Sequence, residues 1–391
     1  MGTVAEDITT AFAGGEYVDG VWTGGERDDR ASQSTLGNFI ADVLLDQAQS
    51  RIDTADLAIT NPGGLRAELL VGEDGVVTYE EANAVLPFGN NVAVKTFTGE
   101  QLLTVLNQQW QRDADGEIPS RPYLQLGVSD NVFYTFDDNL PEGERITGLW
   151  IDGEPVDPVA EYELASFDFL MAGGDNFVEL AQGTNQRDTG LGDRDALAAY
   201  LGENADVRPD FASRSARVVG APTEILSAGD TVDLQVSGID LTSLGSPQNS
   251  TVSVEWLDTA AQATSAETTA FYTAAAAQQF AVTDGVADIS VQVPADAPQD
   301  ARLVITAAPS DTVVSLPVST DVVPTAPGTD PGAEPGTEPG AEPGTDIPVV
   351  DGPEGGDLAV TGSEPAWPLA ALALLMLAAG GAVFVRRRSD A

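Results

Sequence analysis

Apolar positions change their period partway along this chain, and each change marks a different kind of structure. Leu36, Phe39, Ile40, Val43 and Leu44 recur at i, i+3, i+4, i+7 and i+8. That is the single apolar stripe of an amphipathic helix, and Ser34 or Thr35 stands where its N-cap belongs. Leu57-Ala58-Ile59 is a short run without a polar residue, the pattern of a buried strand, and residues 91–97 give a second. Thr98 with Gln101 three residues on is a capping box, and Leu102, Leu103, Val105, Leu106 and Trp110 supply a core face behind it. Further strands are predicted at 133–136, 146–151 and 162–166, with Asp152-Gly153 as a hairpin turn between the last two. A final helix is predicted over 194–201. Helical and strand periods mixed in this way predict an α/β (α+β) domain over residues 30–219, preceded by a polar, Gly-rich connector at 1–29.

From 221 to 323 the period is two. Val232/Leu234/Val236, Val252/Val254/Trp256, Ile289/Val291/Val293 and Val314/Leu316 alternate with polar residues, and turn formers lie between them. Seven or so short strands of this kind predict an all-β immunoglobulin-like sandwich, here without cysteine. No chemistry is visible in it, and it reads as a spacer. Residues 324–357 repeat Pro-Gly-Thr-Asp, Pro-Gly-Ala-Glu and Pro-Gly-Thr-Glu units. They cannot bury a core, and their like charges extend them as a disordered tether.

Composition narrows the functions available. The net charge is −45, from 62 acidic and 17 basic residues. Such a field repels nucleic-acid duplexes and anionic membranes and suits an extracellular protein. The chain has neither His nor Cys. Disulfides, thiolate chemistry and a Ser-His-Asp triad are therefore excluded, as is the usual ligand set of a catalytic transition metal.

The two ends of the chain point in different directions. The first residues show neither the basic region nor the apolar run of a signal peptide. Residues 366–385 carry no charge over a length sufficient for a membrane helix, and Arg386, Arg387 and Arg388 in the 386–391 tail place that end in the cytoplasm. Just upstream, Leu358-Ala359-Val360-Thr361-Gly362 resembles the L-P-x-T-G sorting signal of Gram-positive surface proteins, with Ala359 in place of Pro. The resemblance implies cleavage between Thr361 and Gly362 by a sortase, and attachment to the cell wall. A plain single-pass membrane anchor is the alternative. Either way a cell-surface location is expected, and the chain is expected to be the C-terminal part of a longer, exported protein.

Three Gly-rich loops carry the candidate chemistry. Asn61-Pro62-Gly63-Gly64-Leu65-Arg66 brings a guanidinium next to backbone that side-chain bulk does not cover. A phosphate fits such a loop, and so does an Arg that merely bonds turn carbonyls. Phe88 stands between Pro87 and Gly89, an odd place for a core residue, while Phe169 can stack on a ligand or join the core. Asp175 follows Gly173 and Gly174, where it can accept from a ligand hydroxyl or cap a turn. The acids Asp188, Asp193 and Asp195 lack the spacing of a Ca²⁺ loop, and Asp193 and Asp195 are expected to cap the helix they open.

Taken in order, Arg30 with Thr35-Leu36-Gly37-Asn38, then 61–66, 87–90 and 168–177, resemble the C-terminal domain of the 5′-nucleotidase family, which includes UDP-sugar hydrolases and cyclic phosphodiesterases. The resemblance covers about half the chain. It implies that Arg30, Asn61 and Arg66 meet the substrate phosphate, Phe88 and Phe169 stack on the base, and Asp175 accepts from the ribose. Because stacking tolerates every base, broad nucleotide or nucleoside specificity is expected. Pro62 replaces the family's usual Gly and removes one N–H donor, and Ser32 stands where some members carry a further Arg. In the family, divalent metals sit in an N-terminal metallophosphoesterase domain, which a His-free chain cannot supply. The expectation is therefore the nucleotide-recognition and anchoring portion of such a hydrolase, binding nucleotides without hydrolysing them, with no cofactor of its own. A non-catalytic nucleotide-binding surface protein is the alternative, and a purely structural wall protein on a degenerate domain is a third reading.

Overall fold

Ser34 opens the first helix, as its place before the apolar stripe predicts: its hydroxyl accepts from the Gly37 amide, 3.0 Å away. The helix, α1 (Thr35–Gln49), buries Leu36, Phe39, Ile40, Val43 and Leu44. The computed structural model describes residues 2–72, 74–258 and 277–322, all within one compact unit, Met1–Gly328. The 324–357 tether, Thr361 and Gly362, the 366–385 span and the basic tail lie outside the described residues. Among the described residues no helix is long and apolar enough to cross a membrane.

Four further helices follow: α2 (Tyr79–Val85), α3 (Gly99–Asn107), α4 (Asp168–Met171) and α5 (Asp193–Glu203). They surround a five-stranded sheet in the order Thr184–Gly192, Asn91–Thr98, Glu161–Phe167, Leu57–Thr60, Gly127–Val128. Within it, Glu161–Phe167 and Leu57–Thr60 run parallel and the other neighbours antiparallel. Both faces are covered, so successive side chains enter different cores. Ala58, Val92, Val94 and Phe167 meet α1, α2 and α5 on one face. Leu57, Ile59, Phe97 and Leu164 meet α3 and the chain around Tyr134 on the other.

Several expectations change at this point. Asp152-Gly153 does form a tight turn, with φ of 53° and 78°. It joins Ile146–Ile151 to the short Glu154–Pro155 strand, not to Glu161–Phe167, which belongs to the other sheet. Trp110 lies beyond the end of α3 and packs edge-on against Tyr123. The cap of α5 is Gly192; Asp193 is the first helical residue and its carboxylate braces Asn90 instead. Residues 2–29 are held into the body of the protein, with Val4, Ile8 and Ala11 buried.

The period-two half continues a second sheet. Ser215–Val219 pairs parallel with Val132–Phe136 on one side and antiparallel with Thr231–Ser237 on the other, within a ten-stranded order. Burial alternates along Thr231–Ser237 and Val313–Ser319 as the sequence pattern predicts. Val232, Leu234, Val236 and Ile289 close on Val252, Val254, Leu303 and Leu316 in one apolar core. The connection after Thr231–Ser237 reaches back to the first half. Ser243 Oγ accepts from the Thr35 amide at 2.9 Å and donates to the Thr9 carbonyl at 3.0 Å, while the Phe12 amide donates to the Thr242 carbonyl.

Candidate functional site

A cavity of about 380 Å³ opens where the predicted loops converge, and Arg30, Asn61, Gly63, Gly64, Phe88, Asn90, Phe169 and Asp175 line it. Each residue is delivered by the end of a regular element. Asn61 follows the Leu57–Thr60 strand directly, and Pro62–Gly64 then turns as a short 3₁₀ segment with Pro at its first position. Pro is tolerated there because its missing N–H has no helical acceptor. Phe88 and Asn90 close the connection from α2 to Asn91–Thr98. Phe169 stands in α4, one residue past its start, straight after Glu161–Phe167.

Polar groups fix the floor of the cavity. Asn61 Nδ2 donates to Asp175 Oδ2 at 2.6 Å. A Cβ on Gly63 would lie 3.1 Å from both Arg30 Nη1 and Asp175 Oδ2, so glycine keeps this floor thin. Asp28 holds the other two nitrogens of Arg30, Nε to Oδ1 at 2.8 Å and Nη2 to Oδ2 at 2.9 Å. Nη1 is the arm left facing Gly63. Burial pushes the Asp28 carboxyl up, but the hydrogen bonds and charge of Arg30, with Arg27 and Arg121 beyond it, hold it below the usual carboxylate range. Arg121 is exposed, its guanidinium 3.9 Å from Asp28.

The walls are aromatic. Phe88 is 61% exposed and Phe169 48% exposed, high values for phenylalanine in a protein that buries most of its other large apolar side chains. Asn90 is positioned from below, its amide donating to Asp193 Oδ2 at 3.0 Å. Burial pushes the Asp193 carboxyl up, opposed by the backbone donors of Arg194 and Asn90.

The remaining predicted residues lie beside the cavity. Arg66 is exposed; its guanidinium stands 6.0 Å from the Phe88 ring centre, with a long 3.5 Å contact to the Gly63 carbonyl. Gly173 and Gly174 shape the loop that carries Asp175, and Gly173 has φ 89°. Ser32 donates to Asp29 at 2.7 Å. Asp28 and Asn90 are the site residues that sequence reasoning left out. An Asp-x-Arg spacing was the available signal for Asp28, which stands in the left-handed region at φ 76°. Among the described residues no group of three His, Cys, Asp or Glu side chains could hold a metal ion.

Residues 12–182, which include every residue lining the cavity, match the model of the 5′-nucleotidase, C-terminal domain. The match begins 18 residues before Arg30, in keeping with the packed N-terminal segment. The chain is 31% identical over 201 residues to the trifunctional nucleotide phosphoesterase protein YfkN of Bacillus subtilis, covering 50% of this chain and 13% of that protein. It is 31% identical over 178 residues to protein UshA of Escherichia coli, covering 45% and 29%. It is 34% identical over 156 residues to the cell wall protein Lmo0130 of Listeria monocytogenes, covering 38% and 18%. The chain thus spans less than a third of the length of each of these relatives. The segment that builds the cavity is similar to the C-terminal domain of 5′-nucleotidases.

Proposed function

We propose that this chain is the nucleotide-recognition portion of a 5′-nucleotidase-like hydrolase, held at the cell surface to act on extracellular nucleotides. The observation that carries the reading is the cavity itself, two exposed phenylalanine rings over a floor of Arg30, Asn61 and Asp175. Rings on two walls suit a planar base, a guanidinium suits a phosphate, and a carboxylate suits ribose hydroxyls. Arg30 takes the phosphate through Nη1, Asn61 stands beside the reacting group, and Arg66, over the Phe88 ring, joins where the ligand's charge reaches it. Hydrolysis belongs to divalent metals in an N-terminal metallophosphoesterase domain, with which this chain works. The all-β half is read as an immunoglobulin-like spacer, and the Pro/Gly/acidic segment as a linker between it and the anchor. The surface location is supported by the sorting-like motif, the apolar span and the basic tail, and by a relative that is a cell wall protein.

Isothermal titration of the purified chain with AMP and UMP tests the reading. Both are expected to bind, and Phe88→Ala with Phe169→Ala is expected to weaken both about a hundredfold, since stacking contributes about 1–3 kcal/mol per base. Unchanged affinity in the double variant overturns the stacking role. Steady release of phosphate from AMP by this chain alone, with Mg²⁺ or Mn²⁺ added, overturns the division of labour.

A further inference from the structure

The chain has one lysine, Lys95, and the fold buries it to 6% exposure in the middle of the Asn91–Thr98 strand. An ammonium leaves water at a cost, and a buried lysine ordinarily meets a carboxylate. This chain has 62 acidic residues, yet both hydrogen bonds from Lys95 Nζ go to backbone carbonyls, Met171 at 2.7 Å and Leu180 at 3.0 Å. Burial accordingly holds its ammonium below the usual lysine range.

Those two carbonyls bracket the loop that carries Asp175. Met171 ends α4, the short helix bearing Phe169, and Leu180 lies in the 3₁₀ segment Val178–Gln182 that follows. Carbonyls near the ends of such short helical segments lack intrahelical partners, and a cation suits them. Between them the backbone is unusual, with φ of 89° at Gly173, 50° at Asp175 and 62° at Asn176. Left-handed Asp and Asn persist only where the surroundings determine them. From the α3 side, Gln111 accepts from Asn176 Nδ2 at 3.0 Å, and Gln101 and Gln108 bond Glu179. Lys95, from the sheet side, bonds both ends of the loop at once.

We infer that Lys95 is the positioning residue of the recognition loop: one ammonium holds Met171, at the end of the helix that bears Phe169, to Leu180, and so sets Phe169 in the cavity wall and Asp175 in its floor. The inference rests on the nucleotide-recognition reading for its ligand and on the loop geometry for its mechanism. Lys95 does not line the cavity, and Arg30, at the phosphate end, takes its own hold from Asp28.

The test compares the wild-type chain with Lys95→Met and Lys95→Arg. Hydrogen exchange of amides 172–179 is expected to quicken about tenfold or more in Lys95→Met, while exchange in Leu57–Thr60 and Glu161–Phe167 stays as in the wild type. Affinity for AMP, by titration calorimetry, is expected to fall about tenfold, and that for inorganic phosphate, by ³¹P line width, less than about threefold. Lys95→Arg, which keeps donors for both carbonyls, is expected to recover most of the AMP affinity. Uniform acceleration across the sheet, unchanged loop exchange, or equal loss of both ligands overturns the proposal. If Lys95→Met does not fold, Lys95→Gln carries the same comparison. A wild-type chain that binds neither probe defeats the nucleotide reading, and the exchange measurement still decides whether Lys95 holds the loop.

Discussion

Arg30 offers one nitrogen to the cavity because Asp28 occupies the other two, so the acid sets the direction of the base. Removing that charge with Asp28→Asn leaves Arg30 free to swing and is expected to weaken AMP about tenfold in titration calorimetry. An unchanged affinity would show that Arg30 is aimed by something else. Asp28 also links this corner to pH. Its folded-state carboxyl lies below the ordinary 3.8, so its stabilisation is complete above that value and is lost as pH falls through the lowered one. The difference in unfolding free energy between wild type and Asp28→Asn should be constant near neutral pH and shrink below about pH 4. Part of this corner was legible in the sequence. Phe88 between Pro87 and Gly89 and Asp175 after two glycines stood out because their neighbours rarely bury a side chain. Asp28 did not, because an Asp two residues from an Arg is common and does not by itself mark a pair, and neither did the placement of Arg66 over Phe88.

At the scale of elements, what could be read was local. The boxes that start α3 and the stripe that defines α1 are formed by residues three and four apart, and the structure keeps both. α2 was overlooked although Thr78 and Glu81 make the same reciprocal box, because only seven residues follow it and its apolar face is short. The Thr184–Gly192 strand was missed for a different reason. It is a mostly polar edge strand, with irregular register against Asn91–Thr98 and no clean alternation. Helix α3 also anchors the recognition loop through Gln101 and Gln108, which makes its cap relevant to the site. Thr98→Ala removes the side-chain acceptor of the Gln101 amide and is expected to cost about 1 kcal/mol of stability. Urea denaturation measures this directly: a shift in midpoint with the slope unchanged is expected, and no shift would mean that Gln101 alone carries the box.

Whole-molecule organisation was the least legible level, because pairing between distant strands leaves no mark on either strand's own period. The sequence divides near residue 220, while the sheet runs across that point. Arg214 stands at the crossing. It is buried, binds Asp42 through both carboxylate oxygens at 2.6 and 2.8 Å, and donates to the Asn38 and Val128 carbonyls. One side chain thus ties α1 and the Gly127–Val128 strand to the chain entering the long sheet. Arg302 makes a second link, to the Gly153 carbonyl at 3.1 Å. Burial pushes the Asp42 carboxyl up to about 6 even with its partner in place. Arg214→Met would leave that half-buried group without its cation and cut the Arg214 hydrogen bonds, a loss of about 3 kcal/mol. Since the two halves share a sheet and the Ser243 contacts, the whole unit should unfold in one step, and the loss should reach both halves equally. Tryptophan fluorescence tests this, with Trp256 reporting on the all-β core and Trp150 on the first half. Single-tryptophan forms are expected to show coincident thermal transitions, lowered together by Arg214→Met. A Trp256 transition that stays in place while the Trp150 transition falls would mean that the shared sheet does not couple them. The all-β half would then be an independent module beside the recognition domain.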